Sequence, residues 1–199
     1  MKMAAVTEPV APERELNSLS IVTVIVVLFI VTTTFGALIA AFLVRSGTAR
    51  YWQHIELPSL LWLTTAVLVA SSATLELGRK RLERRDQQAF RRLTLWTAIL
   101  GVLFLAGQIA AWFQMLHAGV VLTNNPHSWF IFLFSGLHGL HILGGLAGLG
   151  YLLMRTWRPA GGPKYQMKTR AIATGVSIFW HYLDFVWLVL FLLLLGWRR

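Results

Sequence analysis

The sequence predicts an all-α membrane protein, a five-transmembrane-helix bundle with its N-terminus cytoplasmic and its C-terminus outside. Three observations carry this. First, 56% of the 199 residues are hydrophobic and only 13% are charged, against roughly 25% charged in a soluble domain. Second, five apolar stretches of about 18–27 residues recur along the chain, and about 20 helical residues cross a hydrocarbon core of about 30 Å. Third, the lysines and arginines gather on alternate connections between those stretches. Lipid offers no partner to backbone N–H and C=O groups, so the stretches are helices that satisfy these groups internally.

The first 17 residues mix Glu8, Glu13 and Glu15 with Lys2 and Arg14 and are interrupted by Pro9 and Pro12. Residues 1–17 therefore read as a short cytoplasmic segment, and residues 18–199 as a single transmembrane domain. The first helix, about 18–44, is too long for a signal-peptide core and ends without a small-residue cleavage site, so it is retained. The second runs over about 60–77 and follows Pro58, whose missing N–H is harmless at a first turn. The third, fourth and fifth run over about 93–116, 129–153 and 171–197. Trp52, Trp96, Trp129, Trp157 and Trp197 stand at or beside helix ends, where an aromatic belt places them.

Orientation follows from charge. Arg79, Lys80, Arg81, Arg84, Arg85, Arg91 and Arg92 follow the second helix, and Arg155, Arg158, Lys164, Lys168 and Arg170 follow the fourth. With Lys2 and Arg14 that side holds fourteen; the other holds four, Arg45, Arg50, Arg198 and Arg199. The richer side is cytoplasmic. The same distribution argues against nucleic acid as the reason for the net charge of +10, since the charge lies in short loops facing lipid headgroups. With no cysteine, disulfides, thiolate metal sites and cysteine nucleophiles are excluded.

Ionisable side chains within membrane helices are costly and are functional candidates. Here they are Glu76 in the second helix, His138 and His141 in the fourth, and His181 and Asp184 in the fifth. Gln108 in the third is polar and neutral, and His117 and His127 fall at the outer interface. His138, His141, His181 and Asp184 lie near the midplane, and each pair has the i, i+3 spacing of one helix face. A midplane aspartate needs a partner. The expectation is a contact between the fourth and fifth helices in which Asp184 bonds a histidine, His181 most simply, His138 or His141 otherwise. Glu76, two residues before the basic loop, is expected roughly 18–20 Å from the depth of Asp184 at ~1.5 Å per residue. It would pair with Arg79 or Lys80 instead.

These residues admit several chemistries: bis-histidine haem ligation, a proton path through Glu76, Asp184 and the histidines, or a metal site from His138, His141, His181 and Asp184. The glycines around His138 and His141 point rather to close helix packing. The residues alone describe a polar-tied bundle with no evident catalytic constellation, in which buried, hydrogen-bonded histidines are preferred to cofactor or metal ligands.

Three segments resemble subunit III of the haem–copper terminal oxidases, the cytochrome c oxidase subunit 3 family, in its short five-helix bacterial form. In the second helix Ser71, Ser72, Thr74 and Glu76 match a Ser-Ser-x-Thr-x-Glu pattern. In the fourth, Gly136, His138, Gly139, His141 and Gly145 match Gly-x-His-Gly-x-His-x-x-x-Gly. In the fifth, Trp180, His181, Asp184 and Trp187 match Trp-His-x-x-Asp-x-x-Trp. Larger members have seven helices, and this chain lacks the first two. The family's Ser-Glu pair ahead of a Phe-Phe is missing too: Ile30-Val31-Thr32-Thr33-Thr34-Phe35 carries no glutamate. The resemblance implies a subunit without redox centres in a bacterial plasma membrane. It implies packing on oxidase subunit I, with subunit II nearby and haem and copper in those partners. It further implies bound phospholipid and a role in sustaining proton uptake and turnover. Subunit III of a quinol oxidase, the accessory subunit of nitric oxide reductase, a bis-histidine membrane cytochrome and an ion transporter are the alternatives.

Overall fold

The computed structural model describes residues 11–48, 55, 57–120, 125–157 and 162–196. Five helices account for nearly all of them: α1 (Ala11–Thr48), α2 (Leu60–Glu83), α3 (Gln87–His117), α4 (Pro126–Trp157) and α5 (Pro163–Gly196). All five are long and apolar enough to cross a membrane. Lys2, Arg50, Trp52, Arg158, Trp197, Arg198 and Arg199 lie outside the described residues.

Every helix begins earlier or ends later than its apolar run. The expected ends at Val44, Leu77 and Leu153 move out to Thr48, Glu83 and Trp157, and the expected starts at Leu93 and Ala171 move back to Gln87 and Pro163. Hydropathy sees only the residues that touch hydrocarbon, whereas a helix continues into the headgroup layer as long as its ends can be capped. The basic connection after α2 is accordingly a turn, Arg84–Asp86, and not a loop. Asp86 accepts the Ala89 amide at 3.0 Å and caps α3, satisfying one orphan N–H. Arg85 sits at φ 63, and the Asp86 amide reaches back to the Arg81 carbonyl at 3.0 Å. That is the left-handed helix-ending position which glycine usually fills. Gly119, at φ 80, fills it at the end of α3.

Helices α2, α3, α4 and α5 each pack on the next, and α5 returns to α2, closing a four-helix ring; α1 lies outside it against α4 and α5. Two tryptophans of α5 organise the interior. Trp180, fully buried, donates its indole N–H to Ser71 Oγ of α2 at 3.0 Å. Its ring lies so close to α3 and α4 that a Cβ on Gly101 would stand 2.7 Å from it and one on Gly145 2.9 Å. Two helical turns along, Trp187 donates to Thr65 Oγ1 of α2 at 3.0 Å. It meets Phe104 of α3 at 5.2 Å between ring centroids and His138 of α4 at 5.1 Å. Each tryptophan thus touches the other three helices of the ring. In lipid there is little hydrophobic drive to join helices, so close packing and hydrogen bonds must hold them. These two layers supply both.

Candidate functional site

The polar residues of the interior converge on the seam between α2 and α5. These helices run antiparallel: Thr65 meets Trp187, and further along α2 Ser71, Ser72 and Glu76 meet Trp180, Asp184 and His181, all earlier in α5. Ser72 Oγ donates to Asp184 Oδ2 and shares a 2.8 Å hydrogen bond with His181 Nδ1. A hydroxyl has one proton. With that proton donated to Asp184 Oδ2, Ser72 meets His181 as an acceptor, from Nδ1–H. His181 Nε2 then faces Glu76 Oε2 at 3.9 Å. Glu76 is held by Arg79 through two contacts of 2.9 Å, and Lys80 stands 3.8 Å away. The seam grades from Asp184, 6% exposed, to the partly exposed Glu76.

Two expectations are corrected here. Asp184 is tied to Ser72 of α2 and not to a histidine. Helices α4 and α5 do pack together, but through Gly145 against Trp180 and Gly148 against Val176. Glu76 and Asp184 are also not remote, because Ser72 and His181 bridge them. The depth argument failed on the helix ends. Leu82 and Ala173 share one cluster with Phe90 and Leu152, so they lie at one level. From there Glu76 is six residues inward and Asp184 eleven, a difference of about 7–8 Å at ~1.5 Å per residue.

The α4 histidines stand apart from this seam. His138 is fully buried between Phe35, Phe104 and Trp187, at 6.3, 5.8 and 5.1 Å between ring centroids. Among the described residues neither ring nitrogen has a hydrogen-bond partner. His141 bonds the Leu137 carbonyl of its own helix through Nδ1 at 2.8 Å and meets Phe35 at 5.4 Å. The space a porphyrin would need beside His138 is filled by aromatic rings. Among the described residues no three histidine or acidic side chains group as metal ligands, so His138, His141, His181 and Asp184 do not form the single cluster that their shared depth allowed.

The remaining motif residues are packing and bonding positions. Thr74 Oγ1 pairs with Thr97 Oγ1 of α3 at 2.9 Å, and Gly136 lies under Trp112, whose indole donates to Ser135 at 2.9 Å. A Cβ on Gly139 would make ordinary contact with Leu105. Gln108 donates to Thr64 Oγ1 at 3.2 Å. His117 is exposed, as an interfacial residue would be. His127 is not: it is fully buried, and its Nδ1 accepts the Ile55 amide at 3.3 Å. Ile55, ahead of α2, reaches it from another part of the chain, a contact that the sequence does not display. Thr65, Gly101 and Phe104 went unnoticed in the sequence. Their signal was indirect: an indole N–H in mid-membrane must find an acceptor, and the serines and threonines of α2 offer one.

A family model described as cytochrome c oxidase subunit III matches residues 24–199. The chain belongs to that family. It is 37% identical over 130 residues to a probable cytochrome c oxidase subunit 3 of Nocardia farcinica, a match covering 64% of this chain and 61% of that protein. It is 29% identical over 164 residues to cytochrome c oxidase subunit 3 of Thermostichus vulcanus, covering 80% of this chain and 78% of the relative. The chain thus spans about three fifths of the length of the Nocardia relative. In α1 the stretch immediately ahead of Phe35, from Ile30 to Thr34, carries no glutamate. There Thr32 pairs with the Tyr182 hydroxyl of α5 at 2.6 Å, while Thr33 and Thr34 bond back to their own helix.

Proposed function

We propose that this chain is the non-redox accessory subunit III of a haem–copper terminal oxidase in a bacterial plasma membrane. The observation that carries this is the family match over residues 24–199. The geometry of the motif residues supports it. Trp180, Trp187, Ser71, Ser72, Gly145, His181 and Asp184 hold helices to one another and do not converge on a cavity where a substrate could react.

In this reading residues 1–17 are a cytoplasmic segment and residues 18–199 one transmembrane domain whose C-terminus lies outside. Haem and copper belong to subunits I and II, and no step of oxygen reduction passes through this chain. Its contribution is to pack on subunit I, hold phospholipid and keep proton uptake and turnover from failing. Glu76, His138, His141, His181 and Asp184 act in it as structural polar residues.

The test compares oxidase purified with and without this chain, following oxygen consumption over successive turnovers. Equal initial rates with faster decay in the depleted enzyme are expected. Identical decay with and without the chain would remove this role.

A further inference from the structure

Away from the seam, a cavity of about 110 Å³ opens where the α2–α3 turn meets the end of α4 and the start of α5. Arg85 of the turn, Arg155 of α4 and Arg170 of α5 line it, and no carboxylate does. Among the described residues none of the three arginines makes an ion pair. Arg155 is fixed in place. Its Nε donates to Thr169 Oγ1 at 2.7 Å, its Nη2 donates to the Tyr165 carbonyl at 3.3 Å, and its guanidinium lies 4.0 Å over the Tyr165 ring. A guanidinium held in this way suits a carboxylate. The carboxylates described at the adjoining ends of α2 and α3 are engaged elsewhere. Glu76 and Glu83 pair with Arg79, and Asp86 caps α3.

The chain brings a further carboxylate to the same end. Helices α1 and α5 run parallel in a steady register. Thr32 meets Tyr182. About two turns earlier on both helices, a Cβ on Gly175 would stand 3.1 Å from Val24. Continued to the helix starts, this register sets Ala11 level with the first turn of α5. The chain therefore enters α1 at the end of the bundle where the arginine cavity opens. Between Lys2 and Glu13 the sequence has one charged residue, Glu8. Three extended residues span about 10 Å, and packed helix axes lie about 8–10 Å apart, so Glu8 can cross from α1 to α5.

We infer that the segment ahead of α1 straps across this end of the bundle and seats the Glu8 carboxylate among Arg85, Arg155 and Arg170. The strap neutralises a cavity that otherwise holds like charges together. It also ties α1, which lies outside the four-helix ring, to the α2–α3 turn and to the ends of α4 and α5.

The test measures the distance between spin labels by double electron–electron resonance, in the purified membrane assembly that contains the full chain. The chain has no cysteine, so Thr7→Cys with Met167→Cys gives two unique label sites, the second exposed on α5. A single narrow distance peak is expected. Glu8→Gln should abolish it, and Glu8→Asp should keep it. Arg85→Gln with Arg170→Gln should abolish it as well. Arg91→Gln with Arg92→Gln removes equal charge outside the cavity lining and should leave the peak unchanged. A broad distribution in the parent, a peak that survives Glu8→Gln, or equal loss in the two double arginine variants overturns the inference. A distribution that narrows only after delipidation gives the cavity to a lipid headgroup and overturns it too.

Discussion

Ser72 makes the recorded hydrogen bonds of both Asp184 and His181, so its hydroxyl is where the α2–α5 seam is most easily cut. Polar contacts between membrane helices average about 0.6 kcal/mol and reach about 1.7. Ser72→Ala should lie toward the upper figure, because it also strands a buried carboxylate; Ser72→Thr should recover most of the loss. Asp184→Leu should weaken the seam more than Asp184→Asn, whose amide can still accept from Ser72. Thermal unfolding in detergent measures all four, and equal melting points for the Leu and Asn variants would contradict the hydrogen-bonding explanation. His138 should behave oppositely. Its ring nitrogens are buried without partners among the described residues, and replacing such a group by an apolar one of similar size is neutral or stabilising. His138→Leu is therefore expected to melt no lower than the parent; a clear drop would mean that the imidazole bonds a group outside this chain. At this scale the sequence was a partial guide. The buried ionisable residues could be named from hydropathy alone, but their partners could not. Ser72, Thr65 and Gly101 look ordinary until the helix that faces them is known.

Among the elements, α5 is the one on which the ring is assembled. Its Trp180 fits because Gly101 of α3 and Gly145 of α4 lack side chains. Gly101→Ala and Gly145→Ala should each cost about 1–3 kcal/mol by overpacking. Gly144→Ala is the control, because a Cβ there meets nothing within 4 Å. A melting-point series reads the difference, and an unshifted Gly145→Ala protein would mean that Trp180 is not wedged as described. The existence and order of all five helices were legible from hydropathy. Their ends were not, since Arg79, Lys80 and Arg81 look like loop residues to a hydropathy scale yet continue α2 to Glu83. That single misplacement put Glu76 at the end of its helix, at the wrong depth relative to Asp184, and hid the seam.

For the whole molecule, the positive-inside distribution predicts a topology that chemistry can check directly, because the chain has no cysteine of its own. A cysteine at Gln88, exposed beside the α2–α3 turn, should react with an impermeant reagent only from the cytoplasmic side. One at Ala118, exposed at the opposite end of α3, should react only from outside. Labelling of both from one side would contradict five crossings. The molecule also presents large apolar side chains outward on every helix, Phe29, Trp62, Phe113, Leu140 and Leu192 among them, as a bundle enclosed by lipid and by other subunits must. The most direct test of its place in an oxidase is to purify it by a tag in mild detergent, record the absorption spectrum, and then separate the components. Co-purification with a much larger subunit that retains all the haem after separation is the predicted result. A haem-free assembly of this chain alone, or haem that stays with this chain, would contradict it.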